Sequence, residues 1–555
     1  MRVSAARPRL VFASGGDADR VIDRRHFLQT GAAVVAAPAL RNRRDSRVHE
    51  SVGFQDPVPS RADIVHAALI AARDAGATYA DVHVRDTQDE QWFFRGTNYG
   101  VPSHVLHTGV GVRALVGGAW GAAQLDGIVS LDAAAQAGRT ATMHAKIATK
   151  HSTIPIELAP APVVTGEWIM PIEIDPFTVS FQEKVDFIMA MIDFIQRVQY
   201  GVGVFGALTF RKERRTCGTS EGTLVTQTLY CTGAGMSVGV PPEWQTERDG
   251  SRGANFLTAT GAGWEYLRTA PWRDKAATLI AQALSSRHTK PVDVGRYDIV
   301  FDAPAMASLL DASIGTATAL DRAMGYETNG VGSSYLTDPL AMAGTFTLGS
   351  PLLTVTANRT MPRGAATVCW DEEGVTPIEI TLVEKGVVTD FQTTRESATW
   401  LAPYYRRKGN PLHSNGCAGA NWSGSPVTTW SPNLVLTPGS ADLSFDDLVK
   451  HVKKGLAVVG GRANADFQAL NGTGFGEIVY EITNGVLGQP IQGAEYLFRA
   501  PDFWKHLAAL GGARSVQHVG IERWRDEYVS RSTHTVAAVP ALVIGVGVTD
   551  YLRKA

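Results

Sequence analysis

Cysteine is scarce in this chain: Cys217, Cys231, Cys369 and Cys417 are the only four in 555 residues. So few exclude a disulfide-stapled scaffold, and none of their spacings is that of a zinc finger. The closest pair, Cys217 and Cys231, lies in a segment that reads as a hairpin turning near Ser220 to Gly222. In that register Cys231 faces residue 211, about six residues along the strand from Cys217, so the sulfurs stand on the order of 20 Å apart and no bridge is expected. An excess of either charge is missing as well. The 52 Lys and Arg against 54 Asp and Glu leave a net charge of −2 with the signs interspersed. Without a basic stripe, no nucleic-acid partner is expected. Beyond the N-terminus no uninterrupted apolar run reaches membrane length, so no membrane span is expected in the mature chain. With 44% hydrophobic and 19% charged residues, the chain can still bury an ample core and fill two or three domains.

What is present begins with an address. Arginines at 2, 7, 9, 20, 24 and 25 lead into an Ala- and Gly-rich apolar run. The pair Arg24-Arg25 followed by His26, Phe27 and Leu28 resembles a twin-arginine export signal, and Ala37-Pro38-Ala39 fits a small-residue cleavage site. The run of about 14 apolar or small residues is too short for an ordinary transmembrane helix. Residues 1–39 are therefore read as a twin-arginine signal peptide and 40–59 as a linker. The mature protein is expected to be soluble and periplasmic, or otherwise outside the cytoplasm.

Ser60 caps a helix over 61–75 that stops at Gly76. Residues 79–85 alternate strictly, with Ala80, Val82 and Val84 on one face and Asp81, His83 and Arg85 on the other, which predicts a half-buried strand with His83 toward solvent. Strands continue from 105 to 123 around a Gly117-Gly118 turn. A helix follows over 131–146. Ser180 and Glu183 open another over 181–198, whose Val185, Ile188, Met189, Ile192 and Ile195 recur at helical spacing. Residues 202–240 read as β, 276–286 as helix and 297–301 as an apolar strand. An Asp-Ala-Pro turn then leads into the apolar helix PAMASLLDASIGTATAL. Beyond it come short strands at 352–357, 379–384, 387–393, 477–483 and 542–548, separated by Gly, Asn and Pro turns. Helices clustered upstream of short strands argue α+β with antiparallel sheets. We read an N-terminal α+β domain over 60–288 and a β-rich C-terminal domain over 289–555.

Several constellations have bland readings. Gly218 to Gly222 matches G-x-S-x-G, but the nucleophile elbow needs a strand turning into a helix, and TLVTQTLY after it is strand-like. His104 and His107 would face opposite sides of a strand and read as partly exposed histidines. Asp371-Glu372-Glu373-Gly374 reads as a solvated turn in the scaffold.

YADVHVR from Tyr79, GVGVRALVGGAWG from Gly109, TSEGTLVTQ from Thr219, DEEGVTP from Asp371, LVEKGVVTDF from Leu382, SNG from Ser414 and ITNGVLGQPIQGAEYL from Ile482 occur in an order that resembles the TldD/PmbA family of peptidases. Its metallopeptidases carry HExxxH on the helix that here reads DASIGT. Asp311 stands at the position of the first histidine, Ala312 at the glutamate and Thr316 at the second histidine. A peptidase zinc needs N, S or O ligands, an open position for water and a neighbouring base. Alanine transfers no proton, and threonine is a poor zinc ligand. The family's third ligand is a cysteine near the C-terminus, where this chain offers His534. The resemblance therefore implies a non-catalytic, PmbA-like member with no cofactor. It would form a homodimer or pair with a TldD-like subunit and take an extended peptide. It tips the loop from Tyr405 to Asn421 toward the cleft, with His413, Ser414 and Asn415 as peptide-facing residues. Two other readings stay open. One is an active zinc peptidase with substitute ligands such as Asp311 and His534. The other is a stand-alone exported peptide-binding or structural protein.

Overall fold

The long strand Tyr79–Arg95 organises the first half of the molecule, because both of its faces are covered. The computed structural model describes residues 59–127, 129–152, 154–239, 256–420, 422–524 and 531–553. The stretch read as an export signal (1–39) and all but the last residue of the expected linker (40–59) lie outside these. Residues from Gly53 onward make one compact unit.

Tyr79–Arg95 pairs antiparallel with Ser103–Val116 on one side and Gly203–Thr219 on the other, inside an eight-stranded sheet completed by strands up to Thr260. Its even-numbered residues point into a helical layer. Ala80, Val82 and Val84 pack with the helices Arg61–Asp74 and Leu131–Ala148, while Trp92 and Phe94 pack with Phe181–Val198 and Trp272–Ser285. Ser60 and Asp63 form a reciprocal capping box on the first helix, which satisfies donors that a bare terminus would leave open. Ser180 accepts from Glu183 N at 3.2 Å, but the Glu183 carboxylate turns away to Trp264 Nε1 at 2.8 Å. Gly117 and Gly118 both hold positive φ, 54° and 76°, as a two-residue hairpin turn requires. The next hairpin has Arg211 opposite Cys231, the register expected from sequence, and all four cysteines are unpaired. Gly218 to Gly222 accordingly turns strand to strand.

The odd-numbered face of Tyr79–Arg95 departs from expectation. Asp81, His83 and Arg85 are buried, not turned to water, because the Asp371–Glu373 segment lies across them and is itself buried. Nor is DEEG a solvated turn. His83 Nε2 stands 3.0 Å from Asp81 Oδ1, and Nδ1 stands 3.4 Å from Glu372 Oε2. Glu372 also receives Arg85 at 2.5 Å and Arg215 at 2.9 Å. Arg113 forks onto both Asp81 oxygens at 2.9 and 2.5 Å and reaches Glu373 at 3.5 Å. Polar alternation on a strand shows only that one face is polar. What covers that face is a tertiary fact.

Two further sheets build the rest. In the ten-stranded sheet, Gly295–Phe301 runs parallel to Lys454–Val459 and antiparallel to Ala541–Asp550. The six-stranded sheet contains Val355–Ala357, Ile380–Glu384, Leu434–Leu436, Gln517–Trp524 and Arg531–Ala538. The architecture is α+β and β-rich, mostly antiparallel, with parallel pairs such as Leu434–Leu436 on Arg531–Ala538. The segment expected as one strand over 387–393 forms a strand at Val387–Val388 and otherwise makes a single bridge, Gln392 to Ala319. From Phe391 on it is buried, with Gln392 Nε2 donating to Gly315 O and Thr393 Oγ1 accepting from Asn415 N, both far along the chain. Among the described residues, no helix is long and apolar enough to cross a membrane.

Two tests follow. Burial alone would lower the His83 pKa, but Asp81 and Glu372 outweigh it and raise it from 6.5 to about 9. Stability contributed by His83 is thus fully present below pH 6.5 and is lost as pH rises through 9; His83→Gln should remove that part of the decline in a urea-midpoint series against pH. A Cβ at Gly138 would stand 2.2 Å from Ala68 O on the facing helix, so Gly138→Val should cost about 1–3 kcal/mol of unfolding free energy.

Candidate functional site

The site is set by the way one helix ends. Asp302 caps the helix Ala303–Leu310, its Oδ1 accepting from Ala305 N at 2.9 Å and its Oδ2 from Gly460 N at 3.0 Å. Burial raises its pKa from 3.8 to about 7 despite those two bonds. The helix does not continue as α through DASIGT but widens into a π turn over Asp311–Gly315. Thr316 N donates to Asp311 O at 3.0 Å. Residues five apart on an α-helix are about 140° out of line, so the wider turn brings 311 and 316 toward one face. Such turns recur at functional sites. The carbonyls loosened by the widening are satisfied from outside: Tyr335 Oη donates to Ser313 O at 2.9 Å and Gln392 Nε2 to Gly315 O at 2.6 Å.

Ser308, Asp311, Ala312 and Thr316 line a cleft of about 900 Å³. One wall is the segment Gly461 to Phe467, which includes the strand Arg462–Ala465 at the end of the ten-stranded sheet. The opposite wall comes from the eight-stranded sheet, including Phe93, Gly235 and Leu257. The open edge of Arg462–Ala465 is not wholly free, since Ala463 N donates to Ser308 Oγ at 2.8 Å. Arg322 braces the same wall, giving Nε to Ser333 O at 2.7 Å and Nη2 to Phe467 O at 2.9 Å.

Of the residues singled out in the sequence, the structure brings together Asp311 and His534. His534, fully buried on the strand Arg531–Ala538, places Nε2 2.7 Å from Asp311 Oδ1. Thr316 Oγ1 is turned back onto the Asp311 carbonyl at 3.0 Å, and Ala312 presents a methyl group. His413, Ser414 and Asn415 do not line this cleft. His413 lies against Tyr405 with ring centroids 5.7 Å apart. Ser414 Oγ donates to Thr393 O at 3.1 Å, and Asn415 donates its backbone N–H to Thr393 Oγ1 at 2.8 Å and Nδ2 to Phe391 O at 2.9 Å. They anchor one buried loop to another. The wall at Gly461 to Phe467 and Arg322 went unnoticed in the sequence; the one signal for them was GGRANADF directly after an apolar strand.

These residues do not fit a peptidase zinc. Two ligands about 2.0–2.1 Å from a tetrahedral ion stand about 3.3 Å apart, whereas Asp311 and His534 are in direct contact. Among the described residues, no three of His, Cys, Asp or Glu gather as a metal-holding group. Position 312 supplies no base.

Comparison with known proteins places this fold among metallopeptidase-like proteins. Residues 294–545 match the family model described as the PmbA/TldA metallopeptidase C-terminal domain. A metalloprotease of Methanocaldococcus jannaschii is 23% identical over 427 residues, 75% of this chain and 86% of that protein. One of Methanothermobacter thermautotrophicus is 25% identical over 253 residues, 45% of this chain, and the match spans only 50% of that protein's length. In fold, TldE from Thermococcus kodakarensis superposes with a TM-score of 0.65 at 13% identity, covering 87% of this chain and 99% of TldE. A proposed modulator of DNA gyrase from Thermotoga maritima gives 0.65 at 15% identity, with the same coverage. Membership of the PmbA/TldD family is supported by these matches taken together.

The cap that carries the π turn is open to test. Asp302→Ala should lower stability by about 0.5–2 kcal/mol in denaturant melts, and Asp302→Asn, which caps comparably, by much less.

Proposed function

We propose that this chain is a non-catalytic, PmbA-like member of its family that holds an extended peptide in the cleft, alone as a homodimer or beside a TldD-type metallopeptidase partner. The observation that carries the reading is the direct contact of Asp311 with His534 above a methyl group at position 312. A cleft with a sheet edge along one wall suits an extended chain, because main-chain hydrogen bonds add a strand while pockets choose side chains. The resemblance of Arg24-Arg25 and its flanks to a twin-arginine signal supports a role outside the cytoplasm, and proteins exported by that route travel folded, so a partner could travel bound.

A second reading takes the name metalloprotease, carried by the two relatives, at face value. Asp311 and His534 are adjacent, and separating them by a few tenths of an ångström would admit an ion. It still lacks a base at position 312 and a further ligand.

Protein purified from its export compartment should hold no stoichiometric zinc by elemental analysis and should not cleave unfolded peptides; cleavage abolished by a chelator and restored by zinc establishes the second reading instead. Replacing Arg24 and Arg25 together by lysine should leave the precursor in the cytoplasm, measured by fractionation. Export undiminished by that change would refute the twin-arginine assignment.

A further inference from the structure

A smaller cavity of about 110 Å³ adjoins the cleft, sharing Gln91, Thr209, Ala259 and Glu522 with its lining. That is several times the room one water molecule needs. Four arginines reach its wall: Arg85, Arg211, Arg215 and Arg359. Three have carboxylate partners. Arg85 and Arg215 share Glu372, Arg215 also holds Glu213, and Arg211 forks onto Asp89 at 2.7 and 3.1 Å.

Arg359 differs. It is 4% exposed, and its donors go to main-chain carbonyls: Nε to Ala366 O at 3.4 Å, Nη1 to Gly416 O at 3.2 Å and to Ala418 O at 3.0 Å. No carboxylate of the described residues comes within ion-pair distance of it. Carbonyl dipoles satisfy hydrogen bonds, and Asp371 and Glu372 act on it only through space, so no carboxylate of the described residues caps this buried guanidinium directly. Burial accordingly lowers its pKa below 12.5, yet arginine does not shed its proton in proteins. The result is a persistent cation beside an enclosed space that opens toward the cleft. Glu522 stands exposed on the shared wall and does not pair with it.

We propose that this cavity is a carboxylate-anchoring subsite, in which Arg359 receives the C-terminal carboxylate or an acidic side chain of the peptide held in the cleft. A carboxylate matches the planar fork of a guanidinium and fits the available volume. The identity of the ligand as a peptide rests on the reading given above; the carboxylate preference rests on Arg359 and the cavity alone.

The test uses four eight-residue peptides on one Ala-Ser-Val scaffold: free C-terminus without acid, amidated without acid, amidated with one internal Glu, and amidated with that Glu as Gln. Binding is measured by calorimetry to the full mature chain. A carboxylate-bearing peptide should bind about tenfold tighter than its neutral counterpart, and whether the free terminus or the Glu gives the gain identifies the source. Arg359→Gln should erase the gain while leaving the neutral peptides unchanged. Because Arg359 also ties down three carbonyls, Ala365→Leu, which narrows the cavity while keeping every arginine, must give the same loss. Equal binding of all four peptides, or a preference that survives both variants, overturns the proposal. If no peptide binds, the peptide reading fails by itself, and the cavity is then read with acetate: a rise in melting temperature over equal chloride that Arg359→Gln and Ala365→Leu abolish upholds the carboxylate site, and no such rise refutes it.

Discussion

The structure depends on a buried ionic layer between the odd-numbered face of Tyr79–Arg95 and the Asp371–Glu373 segment. Asp81, His83, Arg85, Arg113, Arg215, Glu372 and Glu373 satisfy one another across it. Such a layer is a poor source of net stability, because desolvating each charge costs about as much as the pairing returns. Its contribution is to register. An apolar face could slide against its neighbour, but a fork from Arg113 onto Asp81 accepts one alignment only. That alignment sets one wall of the cleft against the other, and it sets the paired arginines around the cavity that Arg359 faces.

The second constraint is the π turn at Asp311–Gly315. Its cost in loosened hydrogen bonds is met by Tyr335 and Gln392, side chains from two other parts of the chain. A feature supported from outside the helix persists when the residues it displays change. Here the turn aims 311 and 316 at the cleft, where Asp311 meets His534 directly.

Much of the local structure was legible because it is written in short periods. The helix Phe181–Val198 has the bounds that its i, i+3, i+4 pattern gives, and the hairpin register that places Arg211 opposite Cys231 follows from the turn between them. Where the reading failed, the missing information was long-range. His83 and the Asp371–Glu373 run look solvated because they are charged; they are buried because each covers the other. Residues 387–393 have the composition of a strand but find a ladder partner at Val387–Val388 and beyond it a single bridge from Gln392 to Ala319. Ser414 and Asn415 were expected to face a peptide, yet their side chains and backbone are tied to Thr393 and Phe391.

By itself the sequence determined which side chains are available: an aspartate, an alanine and a threonine at 311, 312 and 316, cysteines too far apart to bridge, and strands whose two faces differ in polarity. Tertiary structure alone decided that His534 meets Asp311 across more than two hundred residues of chain, that a polar strand face is interior, and that Arg359 stands beside a cavity with no ion-pair contact among the described residues. The physical reason is range. Periodicity and capping act over a turn or two, whereas burial and electrostatic compensation are properties of whatever the rest of the chain brings alongside.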